Sequence, residues 1–226
     1  ENATDISPVT SVASAKILTS VSSKIGAPIV TGSVIQDPDG TWYNTSLVWS
    51  PTDGLVDRYD KIHPVPFAEY MPDRAFWRQF APELIDLVGY DYRAGNRSPV
   101  VDVAGVPAGI TICFDITSEQ QLREMTTGGA QLILAQTNNA DFGRTDENLQ
   151  QLAITRLAAI ETGRSIVNIS TVGTSAVLSP TGASILPKPR AWPISCPPKP
   201  NSSAAPRRPW RAARSRARLM RGAKAC

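Results

Sequence analysis

The sequence has few residues that could form disulfides or bind a metal. It contains three cysteines, Cys113, Cys196 and Cys226, and only Cys113 lies before position 185. One thiol cannot form an internal disulfide, so a disulfide-stapled scaffold is excluded for that part of the chain. The chain also contains one histidine, His63. One histidine and one cysteine are too few for a zinc site, which excludes zinc chemistry there.

Long hydrophobic runs are also missing. No apolar segment approaches the ~18 residues that a membrane-spanning helix needs. At 226 residues, the chain is long enough to form one ordinary domain with a sizeable core. It starts at Glu1 without an initiator methionine, and we therefore expect it to be a fragment.

Acidic residues are absent from the last part of the chain. Residues 185–226 contain 11 Lys and Arg, eight prolines and no Asp or Glu. Residues 1–184 contain 12 basic and 20 acidic residues, a net charge of −8. This composition predicts a domain over residues 1–184 and a disordered basic tail over 185–226. A reading-frame shift near Ser184 is an alternative explanation of the tail, since GC-rich codons read out of frame give Arg, Pro and Ala.

The tail offers only weak evidence for a nucleic-acid partner. Basic segments can bind nucleic acid or anionic lipid. Residues 185–226, however, contain only two aromatic residues, Trp192 and Trp210, and no periodicity that would form a folded basic face. We therefore predict no nucleic-acid partner.

Strands and helices alternate along residues 1–184. A helix is predicted from its N-cap Ser7, with Pro8 in the first turn, to Gly26. A second long helix is predicted over residues 145–163, with one stripe formed by Leu149, Leu152, Ala153, Arg156, Leu157 and Ile160. Strands are predicted at 27–34, 43–50, 55–62, 98–103, 108–112, 131–135, 165–170 and 174–178, and shorter helices at 74–80 and 118–127. This alternation predicts an α/β layered fold with helices on a mixed sheet.

Cys113 follows the short apolar segment Ala108–Ile112, which is bounded by Gly105 and Pro107 on its N-terminal side. Such a segment is typical of a strand covered on both faces. Because α/β proteins place reacting groups at the C-terminal ends of these strands, Cys113 is a candidate nucleophile. A buried core cysteine is the alternative.

Other reactive side chains lie at Lys61, Glu69 and Glu1. A cysteine that transfers acyl groups needs a base for its proton and a cation or donor pair for the oxyanion. A glutamate and a lysine can fill these roles when they are partly desolvated. The alternatives are a surface pair for Lys61 and Asp60, an exposed loop acid for Glu69 and a frayed terminus for Glu1.

Four blocks of sequence resemble one known superfamily. They are YDKIHPVPFAEYMP, GITICFD, TNNADFG and RLAAIETGRSIVNISTVGTSAVLSPTG. In this order they are similar to the nitrilase, or carbon–nitrogen hydrolase, superfamily, and within it to the bacterial apolipoprotein N-acyltransferases. The resemblance covers about residues 1–184 and implies an α-β-β-α sandwich, incomplete at both ends. The first strand and helix and the flanking membrane helices of that family are expected to be missing.

The resemblance also implies a role for each candidate residue. Cys113 matches the nucleophile, Lys61 the lysine that stabilises the oxyanion, and Glu1 the general base. Glu69 matches a second essential glutamate. Phe114 and Asp115 stand where relatives often have Tyr and Glu, so an aromatic ring and a carboxylate are kept while a hydroxyl and a methylene are lost. In the same way Ala68 replaces a glycine.

The activity implied is transfer of a phospholipid acyl chain, through a thioester on the cysteine, to the α-amino group of a lipidated N-terminal cysteine of a lipoprotein. The partners implied are a phospholipid donor and a diacylglyceryl-lipoprotein acceptor, at the outer face of the bacterial cell membrane. No metal or cofactor is implied. Two alternatives stay open: a soluble amidase or nitrilase with the same residues, and an inactive remnant of such an enzyme.

Overall fold

The computed structural model describes residues 1–4, 6–142 and 145–185. Among these residues, eight strands and five α-helices follow one another along the chain. The helices are α1 Val12–Ile25, α2 Arg74–Trp77, α3 Pro82–Ile85, α4 Glu119–Thr127 and α5 Glu147–Thr162. The strands are β1 Ile29–Gln36, β2 Trp42–Ser50, β3 Gly54–Asp60, β4 Val100–Val103, β5 Val106–Ile112, β6 Leu132–Thr137, β7 Ser165–Ser170 and β8 Ala176–Leu178. The predicted tail, apart from Ile185, lies outside the described residues.

The first three strands form an antiparallel sheet in the order β1-β2-β3. A turn at Asp37–Gly40 closes the β1–β2 hairpin, with the Asp37 carbonyl accepting from the Gly40 backbone N–H. The remaining strands form a second sheet in the order β4-β5-β6-β7-β8. Its central strands β5, β6 and β7 are parallel, and the two outer strands are antiparallel to their neighbours. The predicted mixed sheet is therefore confirmed, and a second, antiparallel sheet accompanies it.

The two sheets pack face to face. Their shared core consists of apolar residues from both sheets: Val48, Tyr59, Val101, Ala108, Ile110 and Ile112. The opposite face of the second sheet packs against α4 and α5 through residues such as Met125, Ile133, Ala159 and Ile166. Helix α1 lies against the first sheet, where Thr19 Oγ1 accepts a hydrogen bond from Trp49 Nε1 at 3.0 Å. The layer order α-β-β-α confirms the predicted sandwich.

Helix α1 begins four residues later than predicted. Its N-cap is Ser11, whose side chain accepts from the Ser14 backbone N–H. The predicted cap, Ser7, instead accepts from the Val9 backbone N–H and closes a separate turn over Pro8. Two serines suit N-caps in this segment, and the sequence alone could not rank them. The predicted end is right, because Gly26 adopts φ 65° as the C-cap.

The predicted stripe of α5 is not the face that packs on the sheet. Of that stripe, Leu152 is buried, whereas Leu149, Leu157 and Ile160 are exposed. The buried face is formed by Leu152, Thr155, Ala158 and Ala159. Small residues allow the helix to approach the sheet closely, so the inward face is less hydrophobic than the outward one. A count of large apolar residues therefore selected the wrong side of the helix.

Candidate active site

Lys61 follows β3 directly and is buried, with 1% of its surface exposed. Its Nζ lies 2.6 Å from Glu69 Oε2. Neighbouring Asp60 accepts instead from Thr45 and forms ion pairs with Arg58 and Arg97. Successive side chains at a strand end point in opposite directions, which separates the two neighbours. The surface-pair alternative for Lys61 and Asp60 is therefore wrong.

Glu69 lies in the loop that connects β3 to α2. Its Oε2 accepts from Lys61 and from the Val65 backbone N–H at 2.8 Å. Its Oε1 accepts from Asn44 Nδ2, also at 2.8 Å. Because all three donors converge on one carboxylate, Glu69 is the anionic partner of Lys61 and not an exposed loop acid.

Glu1 is buried and reaches the same group of side chains. Its Oε1 accepts from Asn44 Nδ2 at 2.7 Å, and its Oε2 accepts from the Asn138 backbone N–H at 2.9 Å. The Glu1 backbone packs directly on Gly32 of β1, since a Cβ atom on Gly32 would lie only 2.7 Å from Glu1 Cα. Asn44 of β2, the backbone of Asn138 and the close contact with Gly32 thus hold Glu1 in place, and Glu1 is not a frayed terminus.

Cys113 ends β5 and begins a 3-10 turn, Cys113–Thr117. Its φ of 51° lies in the left-handed region, which is uncommon for a residue with a side chain. The sharp turn leaves the thiol half-buried beyond the end of the strand. Cys113 is therefore not a fully buried core cysteine.

The charges of this group act on one another. Burial, Glu1 and Glu69 together raise the pKa of the Cys113 thiol to about 11, against the opposing effect of Lys61. Burial lowers the pKa of Lys61, but Glu69, Glu1 and Cys113 together outweigh burial, and the net shift is upward. Burial raises the pKa of Glu1 against the opposing effects of Lys61 and Asn44. The structure therefore brings the four predicted residues together, with Lys61 charged among two carboxyl groups and a thiol.

Asp115 is fully buried and joins the Cys113 turn to the end of β3. Its Oδ2 accepts from Tyr59 Oη at 2.7 Å and from the Ile112 backbone N–H at 3.2 Å. Its Oδ1 accepts from the His63 backbone N–H at 3.1 Å. These bonds connect the segments on either side of Lys61 and Cys113, so Asp115 fixes their relative position. Burial raises the pKa of this carboxyl.

A cleft of about 490 Å³ lies next to Phe114, the residue that follows Cys113. Its walls are mostly aromatic and aliphatic: Ile62, His63, Pro64, Tyr70, Tyr92, Ala94 and Phe114. Phe114, whose side chain is exposed, borders this space directly after Cys113. Within the described ranges, no three His, Cys, Asp or Glu side chains are grouped so as to hold a metal ion.

Sequence reasoning missed three residues at this site, Asn44, Tyr59 and Gln121. Gln121 donates to Tyr59 Oη at 2.8 Å and to the Ile110 carbonyl at 3.1 Å, behind Asp115. Asn44 lies in the buried polar run Asn44–Thr45–Ser46 of β2. A polar run inside an otherwise apolar strand was the available signal for Asn44.

Two sheets packed face to face and covered by helices form the fold of nitrilase-type proteins. The fold therefore places the chain in this structural class. The chain belongs to the carbon–nitrogen hydrolase family, because the model of that family matches residues 1–194. The predicted superfamily is therefore confirmed.

Among curated proteins, the chain is similar to bacterial apolipoprotein N-acyltransferases. It is 38% identical over 190 residues to that of Mycolicibacterium smegmatis, which covers 82% of this chain and 32% of the relative. It is 32% identical over 165 residues to that of Agrobacterium fabrum, covering 70% of this chain and 31% of the relative. The chain thus spans about a third of the length of these relatives. No helix in the described part is long and apolar enough to cross a membrane.

Solved structures share the fold. A carbon–nitrogen hydrolase from Helicobacter pylori superposes with a TM-score of 0.57 at 16% identity, covering 76% of this chain and 61% of the other. An amidase mutant from Nesterenkonia, with acetamide covalently added at its active-site cysteine, gives a TM-score of 0.57 at 18% identity. That match covers 80% of this chain and 64% of the amidase.

Proposed function

We propose that this chain carries the catalytic residues of an N-acyltransferase that moves a phospholipid acyl chain, through a thioester on Cys113, to the α-amino group of a lipidated lipoprotein N-terminus. The observation that carries the proposal is that Glu1, Lys61 and Glu69 form one hydrogen-bonded group with Asn44, and that their charges act on the half-buried thiol of Cys113. The similarity to apolipoprotein N-acyltransferases supports the choice of substrates.

In the first half-reaction, Glu1 takes the proton of Cys113 and the thiolate attacks the ester carbonyl of the phospholipid. Lys61 and backbone N–H groups stabilise the oxyanion of the tetrahedral intermediate. The intermediate collapses, the C–O bond breaks, and the lysophospholipid alkoxide takes the proton from Glu1. The acyl chain is then attached to Cys113 as a thioester. Glu69 holds Lys61 through their 2.6 Å ion pair.

In the second half-reaction, the free amine of the acceptor attacks the thioester carbonyl. Glu1 accepts a proton from the attacking amine, and the C–S bond breaks as the amide forms. Cys113 leaves as the thiolate and recovers its proton from Glu1. One glutamate thus serves both steps, and the net change is exchange of an ester for an amide.

The surface beside the cleft supports a lipid substrate. Apolar side chains lie exposed on the segment from the Glu69 loop to α3, among them Phe67, Phe76, Trp77, Phe80 and Leu84. Phe76 packs edge-on against Trp77 with ring centroids 5.2 Å apart. Exposed apolar patches of this kind mark contacts with membranes or other partners. We propose that this segment faces lipid at the outer surface of the bacterial cell membrane, next to the cleft.

A second candidate is hydrolysis of a small amide with the same residues. The fold shared with the Nesterenkonia amidase favours it, since that enzyme also uses a cysteine that becomes covalently modified. Water would then attack the thioester in place of the acceptor amine.

One experiment separates the two candidates. The full chain is incubated in mixed micelles with phospholipid and a diacylglyceryl-lipopeptide, and separately with small aliphatic amides. The transferase predicts an N-acylated lipopeptide that requires phospholipid and is absent with Cys113→Ala. Ammonia release from the amides, without acylation of the lipopeptide, identifies the hydrolase and overturns the transferase.

A further inference from the structure

Asn44 lies between the two carboxyl groups of the candidate active site. It is 2% exposed, and its backbone carbonyl accepts from the Lys61 backbone N–H at 2.8 Å. Its single Nδ2 atom donates one hydrogen bond to Glu1 Oε1 at 2.7 Å and another to Glu69 Oε1 at 2.8 Å. Both hydrogens of one amide nitrogen are therefore used by two acidic side chains.

The chemistry of the neighbours fixes the orientation of this amide. An ionised carboxylate only accepts hydrogen bonds, so the NH₂ group and not the carbonyl must face Glu1 and Glu69. The Asn44 Oδ1 atom is buried and has no hydrogen-bond partner among the described residues. An unpaired buried carbonyl destabilises the fold. Core stability therefore gives no reason for an asparagine here, whereas the two bonds of its nitrogen do.

The two hydrogen bonds of Asn44 affect which carboxylate forms an ion pair with Lys61. Lys61 pairs with Glu69 at 2.6 Å, and the described residues include no ion pair between Lys61 and Glu1. Both carboxylates nevertheless attract the same ammonium, because each raises the pKa of Lys61. Asn44 holds Glu1 from one side while the Asn138 backbone N–H holds it from another. Without Asn44, one of the two restraints on Glu1 is lost.

We propose that Asn44 is a positioning residue that, by donating one hydrogen bond to Glu1 and one to Glu69, keeps Glu1 apart from Lys61 and free to accept the Cys113 proton. This inference rests on the proposed function, in which Glu1 is the base. Asn44 itself does not touch the reacting thiol in this account. It acts through the carboxylates by deciding which of them pairs with the lysine.

Asn44→Leu tests the inference, because leucine has nearly the same size and donates no hydrogen bond. Thr45→Val is the matched control: Thr45 is the next residue in β2, is equally buried, and donates to Asp60 at 2.8 Å away from the site. Each substitution is thus made in β2 and removes buried hydrogen bonds from that strand to carboxylate side chains elsewhere in the chain. Unfolding midpoints of both are measured so that loss of the fold is recognised.

The readout is the rate at which iodoacetamide alkylates Cys113 in the full chain, followed by peptide mass spectrometry across a pH series. Alkylation reports the thiolate and needs no acyl substrate. In Asn44→Leu, Glu1 joins Glu69 in pairing with Lys61, so the lysine charge that opposes the rise of the Cys113 pKa is further neutralised. We expect alkylation near neutral pH to fall about tenfold, the equivalent of one pKa unit, while Thr45→Val keeps the wild-type profile.

An Asn44→Leu profile that coincides with those of the wild type and Thr45→Val overturns the inference. If Asn44→Leu does not fold, Asn44→Ser, which keeps one donor in place of two, is expected to show a smaller fall in the same direction. An unchanged Asn44→Ser profile contradicts the inference equally. The proposed transferase fails separately: a chain whose alkylation responds to Asn44→Leu but whose Cys113 accepts no acyl group supports the positioning role and rejects the acyl transfer.

Discussion

Lys61 Nζ lies 2.6 Å from Glu69 Oε2 in a pair whose lysine is almost completely buried. The pair joins the end of β3 to the loop before α2, and it sets the positive charge beside Cys113. Removing one partner of a buried pair leaves the other charge uncompensated, which destabilises more than removing both.

Glu69→Gln is therefore expected to lower the free energy of unfolding by about 3 kcal/mol, as for other broken buried pairs. The double variant Lys61→Met/Glu69→Gln should recover part of this loss. Asp86→Asn is the control, because it breaks the exposed pair with Arg78 and should change the same free energy by less than about 1 kcal/mol. Urea denaturation measures all three. Equal effects of Glu69→Gln and Asp86→Asn would show that the Lys61 pair is not a buried one.

Cys113 should titrate far above neutral pH in the absence of substrate. Its pKa is raised from an ordinary 9.0 to about 11, first by burial and then by Glu1. Because the folded pKa is the higher one, the contribution of this thiol to stability is full below pH 9 and is lost as pH rises through about 11. Ultraviolet absorbance of the thiolate, with Cys113→Ala subtracted to remove Cys196 and Cys226, measures the titration.

Glu1→Gln separates charge from catalysis in the same titration. Removing the negative charge should lower the Cys113 pKa and give more thiolate at a given pH. Loss of the base should nevertheless slow acylation of Cys113 by an ester by about 10²-fold or more. A variant with more thiolate but slower acylation identifies Glu1 as the base. Faster acylation in Glu1→Gln contradicts that role.

Gly32 is expected to be required for the position of Glu1. A Cβ atom there would meet Glu1 Cα at 2.7 Å and Asn2 N at 2.8 Å. Both are backbone atoms, so Gly32→Ala must displace the segment that carries the proposed base. We expect slower acylation of Cys113, with a stability loss of about 1–3 kcal/mol typical of overpacking. Gly89→Ala adds the same atom in open space and should leave acylation unchanged; equal rates in the two variants would contradict the close approach.

Hydrophobic periodicity and turn residues act locally, and they predicted helices on a mixed sheet and most of the strands. The two-sheet sandwich was expected only from the resemblance to a family. Strand β7 was predicted over 165–170 and is found at Ser165–Ser170. Local signals were insufficient where two residues suited the same structural position equally well. Ser7 and Ser11 both suit an N-cap, and only the packing of α1 on the first sheet selects Ser11 as the start of the helix.

The candidate site could not be predicted from local signals, because its residues lie far apart in the sequence. Nothing in the spacing of Glu1, Lys61 and Cys113 shows that they meet, and their grouping was expected only from the resemblance to a family. Asn44 was missed for the same reason, since its role depends on two carboxylates that are 43 and 25 positions away in the chain. Contacts of this range are fixed by tertiary packing.

The most direct test of the account is mass spectrometry of the intact chain after incubation with phospholipid in mixed micelles. We expect a mass increase of one acyl chain on the Cys113 peptide, which hydroxylamine releases as it does a thioester. The adduct should be absent in Cys113→Ala and strongly reduced in Lys61→Met. A folded chain that gains no acyl group, or gains it at another residue, contradicts the account.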